Sequence, residues 1–309
     1  MILLYHRVAD VHDPQLLAVS AERFARQLEH IERHFQPVPL GDLIRRGVPH
    51  RGVAITFDDG YLDNLTAAKP LLERVGVPAT VFVTTGYLGR ELPSDVLDRC
   101  LLSPGRVPPS LTLEVDGQIR TWQTGDMVTG ETALWDVTCN NSPTDRHRAY
   151  RELHALLRPL SAEKREQALK YLRRWAGVSD EPRSDRRALT EAEVRELARG
   201  NLVEIGAHGV HHVVLGAQEP TSQRAELENS KHALEEVLGH RVLSFAYPYG
   251  GDSDIGSEAP RLARSAGFEL ACANVPGAVT SRTDHYHLPR MLVRNWDESE
   301  FAARLRTAF

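Results

Sequence analysis

The run Val53-Ala-Ile-Thr-Phe-Asp-Asp-Gly60 constrains this chain more than any other stretch. Its apolar part reads as a buried strand, and Gly60 breaks that strand directly after Asp58 and Asp59. Two adjacent carboxylates repel each other in a low dielectric unless a cation lies between or beside them. His208-Gly-Val-His-His212 ends a second strand-like run, Leu202–Ala207, and offers two imidazoles four residues apart. One carboxylate with two imidazoles makes a metal site with open positions. The other carboxylate is then a natural base for a water that the metal acidifies. The pattern points to metal-dependent hydrolysis, although Asp-Asp-Gly after a strand is, taken alone, also an ordinary turn.

Strand and helix alternate around these motifs. Residues 1–8 read as a first strand. Ser20 to His34 places Phe24, Leu28 and Ile31 at helical spacing behind Ser20 as N-cap. Leu62–Val75 reads as a helix, and Ala79–Val83 as the next strand. After residue 188 the rhythm resumes. Thr190-x-x-Glu193 is a capping box, Leu202–Ala207 a strand, Gln223–Leu238 a helix and Val242–Tyr247 a strand. A helix over 258–266, strands over 268–273 and 288–293, and a helix over 297–308 follow. Such alternation predicts parallel βα units, whose ligands gather at the carboxyl ends of the strands. Asp58 and Asp59, His208, Tyr247-Pro-Tyr-Gly250 and His6 all lie at such ends.

The rhythm fails over 90–188. A Pro-rich stretch, an alternating hairpin around Asp116-Gly117 and a charged, helix-like Pro143–Trp175 occupy this part. It is expected to be an insertion or lid within a single domain over 1–309, with residues 181–187 as an exposed linker. Trp122 and Trp135 are expected to pack inside it and not to offer sugar platforms.

Composition excludes several function classes. Acidic residues outnumber basic ones, 42 against 37, and no long Lys/Arg run occurs, which argues against a nucleic-acid partner. The three cysteines are widely spaced and suggest neither a disulfide framework nor a zinc knuckle. No apolar run approaches the roughly 18 residues of a transmembrane span, and Met1-Ile-Leu-Leu-Tyr-His reads directly as a strand. With Met1 as the native start, the expectation is a cytoplasmic protein.

Thr56-Phe-Asp-Asp-Gly60, His208-x-x-x-His212 and Phe245-Ala-Tyr-Pro-Tyr-Gly250 together resemble the first three motifs of the polysaccharide deacetylases, the NodB-homology or carbohydrate esterase 4 group. The resemblance covers about residues 1–90 and 189–300. It implies an α/β fold, a distorted (β/α) barrel of the NodB-homology type with a large insertion, that hydrolyses the N-acetyl group of an amino sugar. By that resemblance Asp59, His208 and His212 would hold a divalent metal, zinc first and cobalt, nickel, iron or manganese after it. Asp58 would be the general base, and the Tyr249 backbone N–H would help stabilise the oxyanion.

Three departures stand out. Gly209 replaces a usual Ser or Thr, so a hydrogen bond that steadies the loop is missing. Ala246 stands where an arginine often orients the base, and Arg290 is the candidate replacement, with a structural ion pair as its other reading. The usual carboxy-terminal Leu-x-His is absent, whereas Leu4-Tyr5-His6 matches it at the opposite end. Some relatives are permuted in this way, which a barrel permits because its first and last strands are neighbours. His6 is therefore the candidate acid for the leaving amine, against the alternative of a core histidine.

His211 reads as a surface or supporting residue, Asp63 and Asn64 as helix caps with lining of the pocket as their other reading, and His285 and His287 as part of a solvated loop. The expected substrate is a small or lipid-linked amino sugar. Alternatives are a same-fold hydrolase of a cyclic imide or ureide, a non-haem iron enzyme built on the same triad, and an inactive sugar-binding protein.

Overall fold

Ile2–Tyr5, Gly52–Phe57 and Ala79–Val83 are buried at every position, as strands of a parallel sheet covered on both faces must be. The computed structural model describes the whole chain apart from Val48, His50, Asp116, Glu131, Phe309 and the side chains of Thr307 and Ala308. Across the main sheet the order is Leu270–Cys272, Ser244–Ala246, Val203–Ala207, Ala79–Val83, Gly52–Phe57, Ile2–Tyr5 and Met291–Leu292, with Gln36–Pro37 beside Gly52–Phe57. Each of these pairings is parallel. Cys272 also bridges Leu288, just ahead of Met291–Leu292, so the two edges of the curled sheet meet. This is the distorted (β/α) barrel of the NodB type. First and last strands are neighbours, with Leu3 opposite Met291 and Leu4 opposite Leu292.

The register sets the strand ends level. Tyr5 lies opposite Phe57, Phe57 opposite Val81, and Val83 opposite Ala207. Backbone bonds carry that alignment one step further: Asp58 N–H donates to the Tyr5 carbonyl and His208 N–H to Val83, each at 3.0 Å. His6, Asp58 and His208 thus leave the sheet on one rim. On the outer face Tyr5 stacks on Phe57 and Phe24 meets both edge to face, with centroids 5.2 to 5.7 Å apart. That cluster seats the Ala21–His34 helix, which Ser20 caps as predicted.

By internal packing the chain divides into two compact units. The first comprises Met1–Val11, Leu17–Gly89 and Ala188–Phe309; the second comprises His12–Leu16 and Arg90–Arg187. The second unit has its own core, in which Leu111, Trp122, Trp135, Tyr150, Leu153 and Leu172 are buried. Trp122 donates to Glu152 and Trp135 to the Asn141 carbonyl, so both indoles are committed to packing. Its hairpin pairs Ser110–Val115 with Gln118–Gln123; Asp116 of the expected turn lies outside the described residues. Among the described residues no helix is long and apolar enough to cross a membrane.

The structure refines two local expectations and overturns a third. Pro143–Trp175 is two helices, Asp145–Leu157 and Ala162–Ala176, the second capped by Ser161. Residues 181–187 are not an exposed linker: Arg183 pairs with the buried Glu91 and with Asp98, and Arg186 with Asp98. Glu, Pro, Arg, Ser and Asp make the same composition whether charges face water or one another. The Leu62–Val75 helix carries a π-helical segment, Asn64–Ala68, before the Lys69–Val75 α-helix.

Val203–Ala207 must lie close against both neighbouring strands to deliver His208. A Cβ on Gly206 would sit 2.4 Å from Phe82 Cδ1 and 2.7 Å from Ser244 Oγ. Phe82 is fully buried and has no room to yield. Gly206→Ala is therefore expected to lower stability by about 1–3 kcal/mol, the usual cost of overpacking. An unchanged urea-unfolding midpoint would contradict this.

Candidate active site

Successive strand residues point to opposite faces, so two neighbouring aspartates serve one site only if the chain turns between them. It does: Asp59 has φ 74°. Among the described residues only Leu16, Arg51, Asp59, Asn201, His212 and Tyr249 combine a side chain with positive φ. Half of these are predicted site residues, and backbone strain of this kind gathers where surrounding structure holds a functional geometry.

Asp59 and His208 are buried and His212 nearly so. Asp59 Oδ1 lies 3.1 Å from His212 Nε2 and 3.5 Å from His208 Nε2. One ligand atom from each residue falls within 4.8 Å of the others, a grouping able to hold a metal ion. Two further observations fit a cation there. Asp59 Oδ1 is buried and accepts no hydrogen bond. His208 Nδ1 lies 2.8 Å from the Ala246 carbonyl, which places the proton on Nδ1 and turns the Nε2 lone pair towards Asp59. Burial works against charge on Asp59, yet His212 and His208 hold its carboxyl well below the usual range. Burial likewise works against the His208 cation, but Asp58 and Asp59 together raise its pKa.

Asp58 belongs to a different set of contacts. Arg290 grips it in a bidentate pair, Nη1–Oδ1 and Nη2–Oδ2 each 2.7 Å, with both side chains buried. Arg290 is held in turn by the Ala273 carbonyl at 2.8 Å and Thr56 Oγ1 at 3.2 Å, above the Phe82 ring. Burial alone would raise the Asp58 pKa; the Arg290 guanidinium and His208 bring it below the ordinary value.

His6 sits beside this group. Its Nδ1 is buried without a hydrogen-bond partner, and burial lowers its pKa against the pull of Asp59 and Asp58. Asp63 and Asn64 do not cap the following helix. Asp63 accepts from Arg7 Nε at 2.9 Å and from Val8 N–H at 3.0 Å, and Asn64 donates to the His6 carbonyl at 2.8 Å. The π-helical turn brings Asn64 there. The Tyr249 ring meets His212 edge to face at 4.7 Å, and Asn274 Nδ2 donates to the Tyr249 carbonyl at 3.1 Å.

The loop-steadying bond missing at Gly209 is replaced from elsewhere. Glu226, on the Pro220–Leu238 helix, accepts Val210 N–H and His211 N–H at 2.8 Å each, and lies 2.6 Å from His211 Nδ1. Gly209 has φ 74°, and a Cβ there would approach Glu226 Oε2 to 3.0 Å. Nothing in the sequence marks Glu226, since a lone acid on a polar helix reads as a surface residue. A separate cavity lined by Arg45, Glu204, Arg241, Ser244 and Glu269 opens at the amino ends of the strands and holds none of these groups.

A sequence profile described as "Polysaccharide deacetylase" matches residues 45–115 and 161–271, more than half of the chain. His6 and Arg290 fall outside the matched residues and stand on geometry. The putative polysaccharide deacetylase YxkH of Bacillus subtilis is 26% identical over 105 residues, which span 34% of this chain and only 36% of that protein. Among solved structures, the Streptococcus pyogenes deacetylase PplD in complex with acetate aligns with a TM-score of 0.60 at 16% identity, covering 100% of this chain and 97% of that one. IcaB from Ammonifex degensii aligns with 0.57 at 20% identity, covering 98% and 95%. These two likenesses are of fold. From the profile match, carried by the strand-end motifs described above, the chain belongs to the polysaccharide deacetylase family.

Proposed function

We propose that this chain is a metal-dependent hydrolase that removes an N-acetyl group from an amino sugar or a sugar-containing intermediate. The observation that carries the reading is the convergence of Asp59, His208 and His212 beside a second carboxylate kept ionised by Arg290. A two-nitrogen, one-oxygen donor set with open positions suits zinc, and cobalt, nickel, iron and manganese accept the same ligands. A divalent metal held there supplies Lewis acidity, polarising an amide carbonyl and acidifying water. The acetate bound by the Streptococcus pyogenes deacetylase is the product such chemistry releases. Residues 90–188 are read as an insertion into one deacetylase domain.

The chain's own residues then divide the proton work. Asp58 is the base: the Arg290 pair aims it and keeps it deprotonated, so it can accept a proton from water. The Tyr249 backbone N–H donates to the carbonyl oxygen as negative charge develops there. His6 protonates the departing amine. The enzyme is expected to convert N-acetylated sugars, in a mass-spectrometric panel, to products in which hydrogen replaces acetyl. Chelator should abolish the conversion and added zinc restore it. A panel in which only cyclic imides or ureides react would replace the sugar reading.

His6 gives a pH test. Its pKa is lowered by burial, so the cationic form disappears as pH rises, with a midpoint below that of a free imidazole. The turnover number should therefore fall with rising pH on a limb that vanishes in His6→Gln. A limb that persists in the variant would remove His6 from the acid role.

Arg290 gives a stability test. The Asp58 pKa is lowered in the folded state, so the pair stabilises the fold above the unfolded carboxyl pKa, and this is lost as pH falls through the folded one. Arg290→Gln is expected to cost roughly 3–5 kcal/mol at neutral pH, because it strands a buried charge. The gap to wild type should narrow in acid below the carboxylate range. Equal unfolding midpoints at neutral pH would contradict the clamp.

A further inference from the structure

Two buried polar atoms at the rim complement each other, and neither makes a hydrogen bond: His6 Nδ1 and Asn64 Oδ1. They belong to residues already in touch. Asn64 is buried, and its Nδ2 donates to the His6 carbonyl at 2.8 Å. The same nitrogen lies 3.4 Å from Asp63 Oδ1. Both neighbours of that atom are acceptors, which fixes the amide the right way round. Oδ1 is therefore the acceptor that remains.

The local fold is arranged around this contact. Asn64 opens the π-helical segment Asn64–Ala68, and single π turns of this kind recur at functional sites. Asp63, just before it, accepts from Arg7 Nε at 2.9 Å and from Val8 N–H at 3.0 Å. Two adjacent side chains thus hold three consecutive residues, His6 through Val8, where the chain leaves its first strand. A histidine about to deliver a proton carries N–H on both ring nitrogens, and a buried N–H without an acceptor is costly. The buried nitrogen is Nδ1, so the acceptor is needed there, and no carboxylate is hydrogen-bonded to it.

We propose that Asn64 is the positioning residue of His6: its Nδ2 holds the backbone, and its Oδ1 accepts the Nδ1 proton, which leaves Nε2 to serve the departing amine. The proposal rests on the deacetylase reading for the role of His6, whereas the hydrogen bond itself does not. The Nε2 proton passes to the leaving nitrogen, and the Nδ1 proton stays with Asn64. The bond at one ring nitrogen sets the state of the other. A neutral amide does this without adding a third negative charge to a rim that already holds Asp58 and Asp59, where like charges repel.

Nitrogen–proton correlation spectra of the full chain, carrying ¹⁵N-labelled histidine and recorded where the ring is neutral, read the tautomer directly. His6→Gln assigns the His6 signals. Wild type is expected to show Nδ1–H at His6, and Asn64→Ala the Nε2–H form that a free imidazole prefers. Asn64→Asp keeps an acceptor oxygen and should keep Nδ1–H. These spectra need no turnover, so they stand whether or not the deacetylase reading does. Wild-type His6 in the Nε2–H form, or a tautomer unmoved in Asn64→Ala, would overturn the proposal. If Asn64→Ala melts differently, the wild-type and Asn64→Asp spectra carry the test. On a deacetylated substrate, Asn64→Ala should lower kcat about 10–100-fold, the equivalent of one buried hydrogen bond, with KM little changed. It should cost nothing further in His6→Gln. An equal loss in both backgrounds would make Asn64 merely structural and contradict its action through His6.

Discussion

The buried pair between Arg290 and Asp58 is the interaction on which the rest of the site depends. It joins residues 232 positions apart, on the segment that closes the barrel and on the strand that carries both aspartates. Taking two charges out of water costs several kcal/mol per ion, which attraction recovers only when geometry is good and the remaining donors are satisfied. Here the contact is bidentate, and the Ala273 carbonyl and Thr56 hydroxyl take further guanidinium protons. Both Asp58 oxygens are thereby engaged. Asp59, beyond the turn, is left facing the two imidazoles with a buried oxygen that no hydrogen bond satisfies.

That separation has a backbone cost. Left-handed conformations at Asp59, His212 and Tyr249 persist because other groups fix the loops around them. Glu226 gathers two amides of the His208–His212 loop, and Thr85 and Gly86 N–H donate to the Gly209 and Val210 carbonyls from the other side. Asn274 holds the Tyr249 turn, and Asn64 holds the backbone of His6. The strands set the height of the site, whereas these loop contacts set its directions.

What could be read beforehand follows from how information is distributed along a chain. The barrel strands were legible because burial on both faces leaves short apolar runs, as in Val53–Phe57 and Ala79–Val83. Asp59, His208 and His212 were legible because each sits in a contiguous motif. The Arg290 contact was harder: only a gap at Ala246 suggested looking elsewhere, and nothing local to Leu288-Pro-Arg290 announces a partner so distant in sequence. Glu226, Asn64 and Asn274 were illegible as support, since a polar side chain that reaches a distant backbone group is locally the same as one that reaches water. Asp63 and Asn64 were misread as caps for that reason, and Arg183 and Arg186 as part of a linker. The π-helical segment at Asn64–Ala68 also depends on its surroundings, since helical spacing alone predicts an uninterrupted α-helix.

The central claim is that neighbouring aspartates have separate duties, Asp59 to the metal and Asp58 to the proton. Zinc content by elemental mass spectrometry, with deacetylation rate on the same samples of Asp58→Asn and Asp59→Asn, tests it most directly. The account predicts that Asp58→Asn retains wild-type zinc and loses roughly 10²–10⁴-fold in rate, as removal of a general base does, while Asp59→Asn loses both metal and activity. Equal zinc loss in the two proteins, or an active Asp58→Asn, would contradict it.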